Sequence, residues 1–261
     1  MKIDPRFFTR PLAMHRLEIE RLAATITAWS DYDDYVRPQP QYGLHKGVAI
    51  LPVRGVLAND LPWWADGTEY SWIRQGFDAA LEADDVRAIA LDVNGPGGTV
   101  EGCFDLVDHI FAARGKKPIW AILSESAYSA TYALASAADR ILIPRTGGAG
   151  SIGVVAGHVD ISQALDKAGV KVTFIQYGDR KTDGASEKPL SEDALACFRA
   201  DVDEMGELFV ATVARNRGLD AQAIRDMQAG TFMGAGAVAA GLCDEVAAPD
   251  AAFSALLKTL G

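Results

Sequence analysis

From Gly47 onward, short apolar segments alternate with helical segments, and this alternation limits the fold more than any other feature of the chain. The segments that predict strands are GVAILPVRGVL, AIALDV, PIWAILS and RILIP. The segments that predict helices between them are SWIRQGFDAALEAD, TVEGCFDLVDHIFAARG and YSATYALASAAD. Short apolar strands that alternate with helices are typical of an α/β fold with a largely parallel sheet.

The first 45 residues have a different pattern. Apolar residues spaced as on one face of a helix run from Leu17 to Trp29, and a polar stretch with two prolines follows them. We therefore expect an N-terminal helical arm and linker over residues 1–45 and a second domain over residues 46–261. Because its apolar stripe is too long to remain in water, we expect the arm to pack on the main domain or on another subunit.

Composition and charge exclude several classes of protein. The net charge of -10 repels phosphate backbones and argues against a nucleic-acid partner. The three cysteines are far apart, which argues against a disulfide framework and a zinc site and predicts free thiols in the core. No signal-peptide pattern and no apolar window of about 18 residues is visible, so we expect a cytoplasmic protein without a transmembrane segment.

The segment NGPGG, from Asn94 to Gly98, follows a predicted buried strand and precedes a predicted helix. Three interpretations are open: a strand-to-helix turn that needs glycine, a phosphate loop, or an oxyanion hole built from a backbone N–H such as that of Gly98. The phosphate loop lacks both GxGxxG and GK[ST].

A second strand-to-helix junction, SESAYSATYALAS, contains Ser129. A serine in the first turn of a helix is usually a cap, but a helix N-terminus also stabilises an oxyanion. The small residues Ala130, Thr131 and Ala133 predict room for a substrate backbone.

Two basic side chains are candidates for activating such a serine. Lys181 lies in a loop after a predicted strand that ends at Tyr177. A lysine that acts as a base must lose its proton near neutral pH, about three pKa units below its usual value, which takes roughly 4 kcal/mol. His158 is the rival, since it follows the Ser129 segment and would form a Ser–His–Asp triad.

Taken in order, these segments resemble the signal peptide peptidase A family of serine proteases, which includes the head-maturation proteases of tailed phages of the lambda protein C type. The matching pieces are LDVNGPGG, residues 128–132, GSIGVV at 150–155, residues 178–183 and TFMGAGAVAAGLCDEV. Two positions depart from the family pattern. Ala130 stands where the family commonly has glycine, which would cost activity or stability if the backbone there had positive φ. Gly95 stands where the family often has serine.

By this resemblance, Ser129 is the nucleophile and Lys181 the general base of a catalytic dyad, and the N–H groups of Gly98 and Ala130 form the oxyanion hole. No metal or cofactor is then needed. The resemblance also implies a Clp protease/crotonase-like spiral of β-β-α units with a largely parallel sheet, assembled into a homo-oligomer.

The function implied is cleavage of polypeptides, either capsid scaffold or signal peptides. The phage-type N-terminal arm favours a prohead maturation protease that acts in the cytoplasm or inside an assembling prohead. The alternatives are a signal-peptide-degrading peptidase without its membrane anchor, a crotonase-like acyl-CoA enzyme and an inactive structural member of a capsid or membrane complex.

Overall fold

The computed structural model describes residues 12–14, 42–61 and 65–261. The predicted arm helix between Leu17 and Trp29 lies outside these residues. The strands are β1 Leu12–Met14, β2 Gly43–His45, β3 Val48–Ala58, β4 Gly67–Glu69, β5 Ala88–Thr99, β6 Ile119–Tyr128, β7 Arg140–Ile143, β8 Gly148–Gly150, β9 Thr231–Met233 and β10 Glu245–Val246. The helices within these described residues are α1 Tyr70–Glu82, α2 Cys103–Ala112, α3 Ala130–Ser136, α4 Ser162–Lys167, α5 Glu192–Arg217, α6 Ala221–Asp226, α7 Ala235–Ala239 and α8 Pro249–Thr259, and a 3-10 turn lies at Asp179–Thr182.

The sheet has the central order β10-β7-β6-β5-β3-β2, and its middle strands run parallel. Three strands are antiparallel to their partners: β2 on β3, β9 on β8, and β1 on the end of β5. The predicted α/β fold with a largely parallel sheet is therefore confirmed.

Both faces of the sheet are covered, because the middle strands are apolar on both sides, as parallel strands usually are. Ile89, Leu91 and Val93 of β5 belong to the main core, together with α1, α2 and α3. Ala88 and Ala90 point to the other face, where α8 covers them with Ala252 and Leu256. This two-sided burial fixes the strand ends from which the candidate site is built.

Of the three interpretations of NGPGG, the structure excludes the strand-to-helix turn. All five residues belong to β5, which continues to Thr99, and α2 begins only at Cys103. Pairing explains the difference, because Gly97 and Gly98 pair with Val56 and Leu57 of β3. A Cβ atom at Gly98 would lie 1.8 Å from the Leu57 carbonyl oxygen, so the glycine permits close strand approach rather than a turn.

A long helix, α5, follows Lys181, and capping residues define both of its ends. Ser191 Oγ accepts a hydrogen bond of 3.2 Å from the Ala194 N–H, and Gly218 ends α5 in the left-handed conformation at φ 65°. Local capping chemistry determines both bounds, which is why the sequence is sufficient to predict them.

The predicted strand that ends at Tyr177 is absent from the structure, which has no strand between residues 151 and 178. In the same part of the chain, large apolar side chains are exposed, and Ile175 and Tyr177 are 99% and 100% accessible. The other exposed apolar side chains of this surface are Val155, Val159, Ile161, Val170, Val172, Phe174, Leu195 and Leu208. We call this surface, carried by residues 155–177 and by the first two thirds of α5, the apolar flank.

Candidate active site

Ser129 lies between the end of β6 and the start of α3, and its backbone is strained. Its φ is 53° and its ψ is -124°, a combination that non-glycine residues rarely adopt. The residue is 1% exposed, and the surrounding strands hold it in place: its N–H donates to the Gly150 carbonyl at 2.8 Å. Strained residues that are held this firmly are characteristic of functional sites.

The GSIGVV segment at residues 150–155 surrounds this serine. The strand β8 is parallel to the end of β6, so Gly150 lies beside Tyr128. The Ser129 Oγ donates a long hydrogen bond of 3.5 Å to the Gly153 carbonyl. Two carbonyls of this one segment therefore fix the backbone and the hydroxyl of Ser129. Sequence reasoning matched the segment as a motif but did not assign these two contacts.

The glycine-rich end of β5 is attached to the helix that follows Ser129. The Gly97 N–H donates to Thr131 Oγ1 at 3.1 Å, and Gly97 has a φ of 116°. A Cβ atom at Gly95 would lie 2.7 Å from the same Oγ1 atom. Thr131 therefore positions the NGPGG segment, a role that was not predicted. Its signal was a polar side chain in the first turn of a helix whose other residues are mainly apolar.

The small residues of α3 have a packing role that was not predicted, and the room that they leave for a substrate backbone stays a prediction. Ala130, Thr131 and Ala133 are completely buried, and α3 packs in the main core between β5, α2 and α5. Small side chains allow α3 to approach the sheet closely. The methyl group of Ala130 causes no backbone strain, since the positive φ lies at Ser129 and not at Ala130.

The candidate bases are not joined to Ser129 in the single chain. Lys181 lies in the 3-10 turn Asp179–Thr182, is exposed, and its Nζ makes no hydrogen bond or ion pair with the residues that the structure describes. His158 lines a cavity of about 650 Å³ between residues 156–158, residues 183–184 and the side of α5 that bears Phe198. Its Nε2 atom is buried and has no hydrogen-bond partner among the described residues.

Residues 231–246, the last of the segments that match the family, contribute contacts that stabilise the surroundings of the site. The Tyr132 hydroxyl donates to the Leu242 carbonyl at 2.9 Å, and the Asp244 carboxylate accepts the Ile141 N–H at 2.6 Å and binds Arg217. Burial raises the pKa of Tyr132 well above its usual value, so its hydroxyl remains a donor. The Tyr132 hydrogen bond anchors α3 to the C-terminal part of the chain, and the Asp244 contacts attach β7 and α5 to it.

Cys103 and Cys243 are buried free thiols, as predicted, whereas Cys197 lies partly exposed on α5. In residues 12–14, 42–61 and 65–261, no group of three or more His, Cys, Asp or Glu residues is arranged to hold a metal ion. Over the same ranges, no helix has the length and apolar character needed to span a membrane.

Comparison with known sequences connects these segments to one family. The model of peptidase family S49 matches residues 112–260, more than half of the chain, and this match includes Ser129 and Lys181. The chain is 34% identical over 238 residues to the head-tail preconnector protein GP5 of Enterobacteria phage P21, covering 88% of this chain and 48% of that protein. It is 35% identical over 233 residues to the capsid assembly protease C of Escherichia phage lambda, covering 88% of this chain and 53% of that protein. The chain therefore spans about half the length of these relatives.

The chain is similar to solved structures in its fold alone. The crystal structure of an enoyl-CoA hydratase from Shewanella pealeana is similar with a TM-score of 0.50 and 13% sequence identity, covering 84% of this chain and 72% of that one. This similarity confirms the predicted crotonase-like fold.

Proposed function

The chain belongs to peptidase family S49, and from that membership we propose that it is a serine endopeptidase in which Ser129 is the nucleophile and Lys181 the general base. The observation that carries the proposal is the strained backbone of Ser129 at a junction of strand and helix. A buried serine that served only as a helix cap would not need a φ of 53°, and its side chain makes no cap hydrogen bond to α3.

The oxyanion hole of this proposal is built from Gly98 and Ala130. Ala130 is the first residue of α3, where backbone N–H groups have no acceptor within the helix. Gly98 lies on β5, the neighbouring strand of β6, and Thr131 holds the adjacent Gly97 against α3. Removing one donor of an oxyanion hole typically lowers the rate by a factor of about 10² to 10³.

To act as a base, the exposed Lys181 must contact Ser129 and lose its contact with water. Lys181 lies in the chain between the two parts of the apolar flank, and exposed apolar surface of this extent marks an interface. We therefore extend the proposal to a homo-oligomer in which a second copy covers the apolar flank. That cover would desolvate Lys181 and favour its neutral form.

The reaction then follows from these groups. Neutral Lys181 takes the proton of Ser129 as Oγ attacks the peptide carbonyl, and the carbonyl oxygen becomes an oxyanion held by the two N–H groups. The C–N bond breaks, Lys181 gives its proton to the leaving amine, and an acyl-enzyme remains on Ser129. Water then hydrolyses the ester. These steps use only residues of the chain, without a metal or cofactor.

The biological role that we propose is cleavage of capsid or scaffold polypeptides during phage head maturation. The support is the similarity to two phage head proteins, one of which is named a capsid assembly protease. A signal-peptide-degrading role would use the same residues.

The test of the dyad is labelling by a fluorophosphonate, followed by intact mass. We expect one adduct on the wild type and none on Ser129→Ala. Lys181→Ala and Lys181→Arg should both lose labelling, because guanidinium does not give up its proton in a protein. Lys171→Ala, at an exposed lysine of the same segment, is the matched control and should label normally. Loss of labelling in His158→Ala, together with normal labelling of Lys181→Ala, would replace the dyad by the triad.

The test of assembly is light scattering of Ile175→Asp. A charge on the apolar flank should reduce the oligomer size and the labelling rate together. Normal size and normal labelling in this variant would exclude the flank as the interface.

A further inference from the structure

The strand β1 occupies a particular edge of β5. Leu12, Ala13 and Met14 pair antiparallel with Thr99, Gly98 and Gly97, in that order. The remaining strands of the sheet come from residues 43–246, so this short piece of the N-terminal arm enters the sheet from far away in sequence.

The edge that β1 occupies follows from the register of its neighbours. A strand has two edges, and β3 takes one edge of Gly97 and Gly98. The strand β1 therefore pairs with the other edge of β5. Earlier along β5, that edge pairs with β6, and the last pair is Gly95 with Ala127. Ser129 lies two residues after Ala127, directly after the end of β6 at Tyr128. The strand β1 therefore lies along the edge of β5 beside Ser129.

A peptide substrate of the proposed enzyme needs this same edge. An extended peptide gains affinity by adding a strand to an exposed sheet edge through main-chain hydrogen bonds. If Gly98 binds the oxyanion, the residue whose carbonyl is attacked must lie at the level of Gly98. Ala13 is the residue that the structure places there.

We propose that Leu12–Met14 is an intramolecular substrate mimic that occupies the substrate strand of the active site and competes with peptides for it. This inference rests on the proposed function of Ser129 and Gly98. A tethered segment acts at an effective concentration in the millimolar range, so even a weakly binding strand remains docked most of the time. The apparent affinity for a peptide then falls in proportion to the open fraction.

The test uses the full chain with Ala13→Pro and Met14→Pro together. Consecutive residues of a strand direct their N–H groups to opposite edges, so one of the two prolines removes an N–H that faces β5, whatever the exact pairing. The matched control is Ala13→Ser with Met14→Leu, which keeps both N–H groups. Each protein is treated with a fluorophosphonate that carries an apolar tripeptide and with a small alkyl fluorophosphonate.

We expect the proline variant to react roughly 3- to 10-fold faster than the control with the peptidyl probe, and to change much less with the alkyl probe. A synthetic peptide of residues 9–17 should slow the proline variant again, and the same peptide with both prolines should not. Amide hydrogen exchange at Gly98 and Thr99, which pair with β1, should be faster in the proline variant, a readout that needs no activity.

Three results would overturn the inference. Equal rates for the proline variant and the control, with Ser129 labelled in both, would show that β1 does not compete with substrate. Equal acceleration by both probes would show that the arm acts as a general cover and not as a substrate strand. If neither probe labelled any of the proteins, the proposed function of Ser129 would be rejected. The role of β1 as a competitor of substrate would then be rejected with it.

Discussion

The backbone strain at Ser129 can be measured by comparing Ser129→Gly with Ser129→Ala. Both variants remove the hydroxyl and its long hydrogen bond to the Gly153 carbonyl, so that loss cancels in the comparison. Alanine keeps a Cβ atom in a conformation with φ 53° and ψ -124°, whereas glycine tolerates it. Strain of this kind costs about 1–3 kcal/mol per residue.

The expected difference follows from two opposing terms. Glycine relieves about 2 kcal/mol of strain, and it loses about 0.4–1 kcal/mol because its unfolded chain is more flexible. The glycine variant should therefore be more stable than the alanine variant by about 1 kcal/mol, which raises the melting temperature by roughly 2–4 °C in a protein of about this size. Both variants should fail to react with a fluorophosphonate.

The assay is thermal unfolding of both variants at equal protein concentration, because oligomer formation would make the melting temperature depend on concentration. Ser136, the last residue of α3, is the matched control site, since its backbone is helical. There the order should reverse, with Ser136→Gly less stable than Ser136→Ala by up to about 1 kcal/mol. A glycine variant at 129 that is no more stable than the alanine variant would refute the interpretation of Ser129 as a strained nucleophile.

Two further predictions concern the surroundings of the site. Thr131→Val removes the acceptor of the buried Gly97 N–H, so denaturant unfolding should show a loss of about 1–3 kcal/mol of stability, and Ser129 should be labelled more slowly. Thr131→Ser should retain both the stability and the labelling rate. A valine variant with normal stability and labelling would contradict the positioning role of Thr131. Burial raises the pKa of Cys103 and Cys243 to about 12, so both thiols stay protonated at pH 8. Both should resist iodoacetamide in the folded protein, while the partly exposed Cys197 should react. Mass spectrometry that finds more than one alkylated thiol in the native state would contradict this prediction.

The parts of the fold that the sequence predicts well are those set by local chemistry or by periodicity. The bounds of α5 follow from a capping serine at 191 and a glycine at 218, and both operate within one turn of the helix. The alternating strands and helices between residues 48 and 143 follow from apolar runs that are buried on both faces of the sheet. In these places the local pattern and the tertiary environment favour the same structure.

The parts that the sequence does not predict depend on partners from elsewhere in the chain. The glycines of NGPGG have the composition of a turn, but β3 on one edge and β1 on the other keep them in a strand. The apolar run before Tyr177 has the composition of a strand, but no described neighbour pairs with it. The site depends on the same kind of information, because the register that brings Gly150 beside Tyr128 and Gly153 to Ser129 is not local.

The distribution of burial divides the proposed site into two parts. The nucleophile and both proposed oxyanion donors belong to the closed core between β5, β6 and α3, where Ser129 and Ala130 are 1% and 0% exposed. The proposed base, Lys181, lies in an exposed 3-10 turn between the two parts of the apolar flank. A lysine in water keeps its proton at neutral pH, and making it neutral costs roughly 4 kcal/mol. Burying one large apolar side chain completely is worth about 1.5–3 kcal/mol. The exposed apolar side chains of the flank would together have to offset both this cost and the free energy that association itself costs. On this proposal, the single chain already positions the nucleophile and the oxyanion donors. Association of two copies then supplies the desolvated environment that the base Lys181 needs.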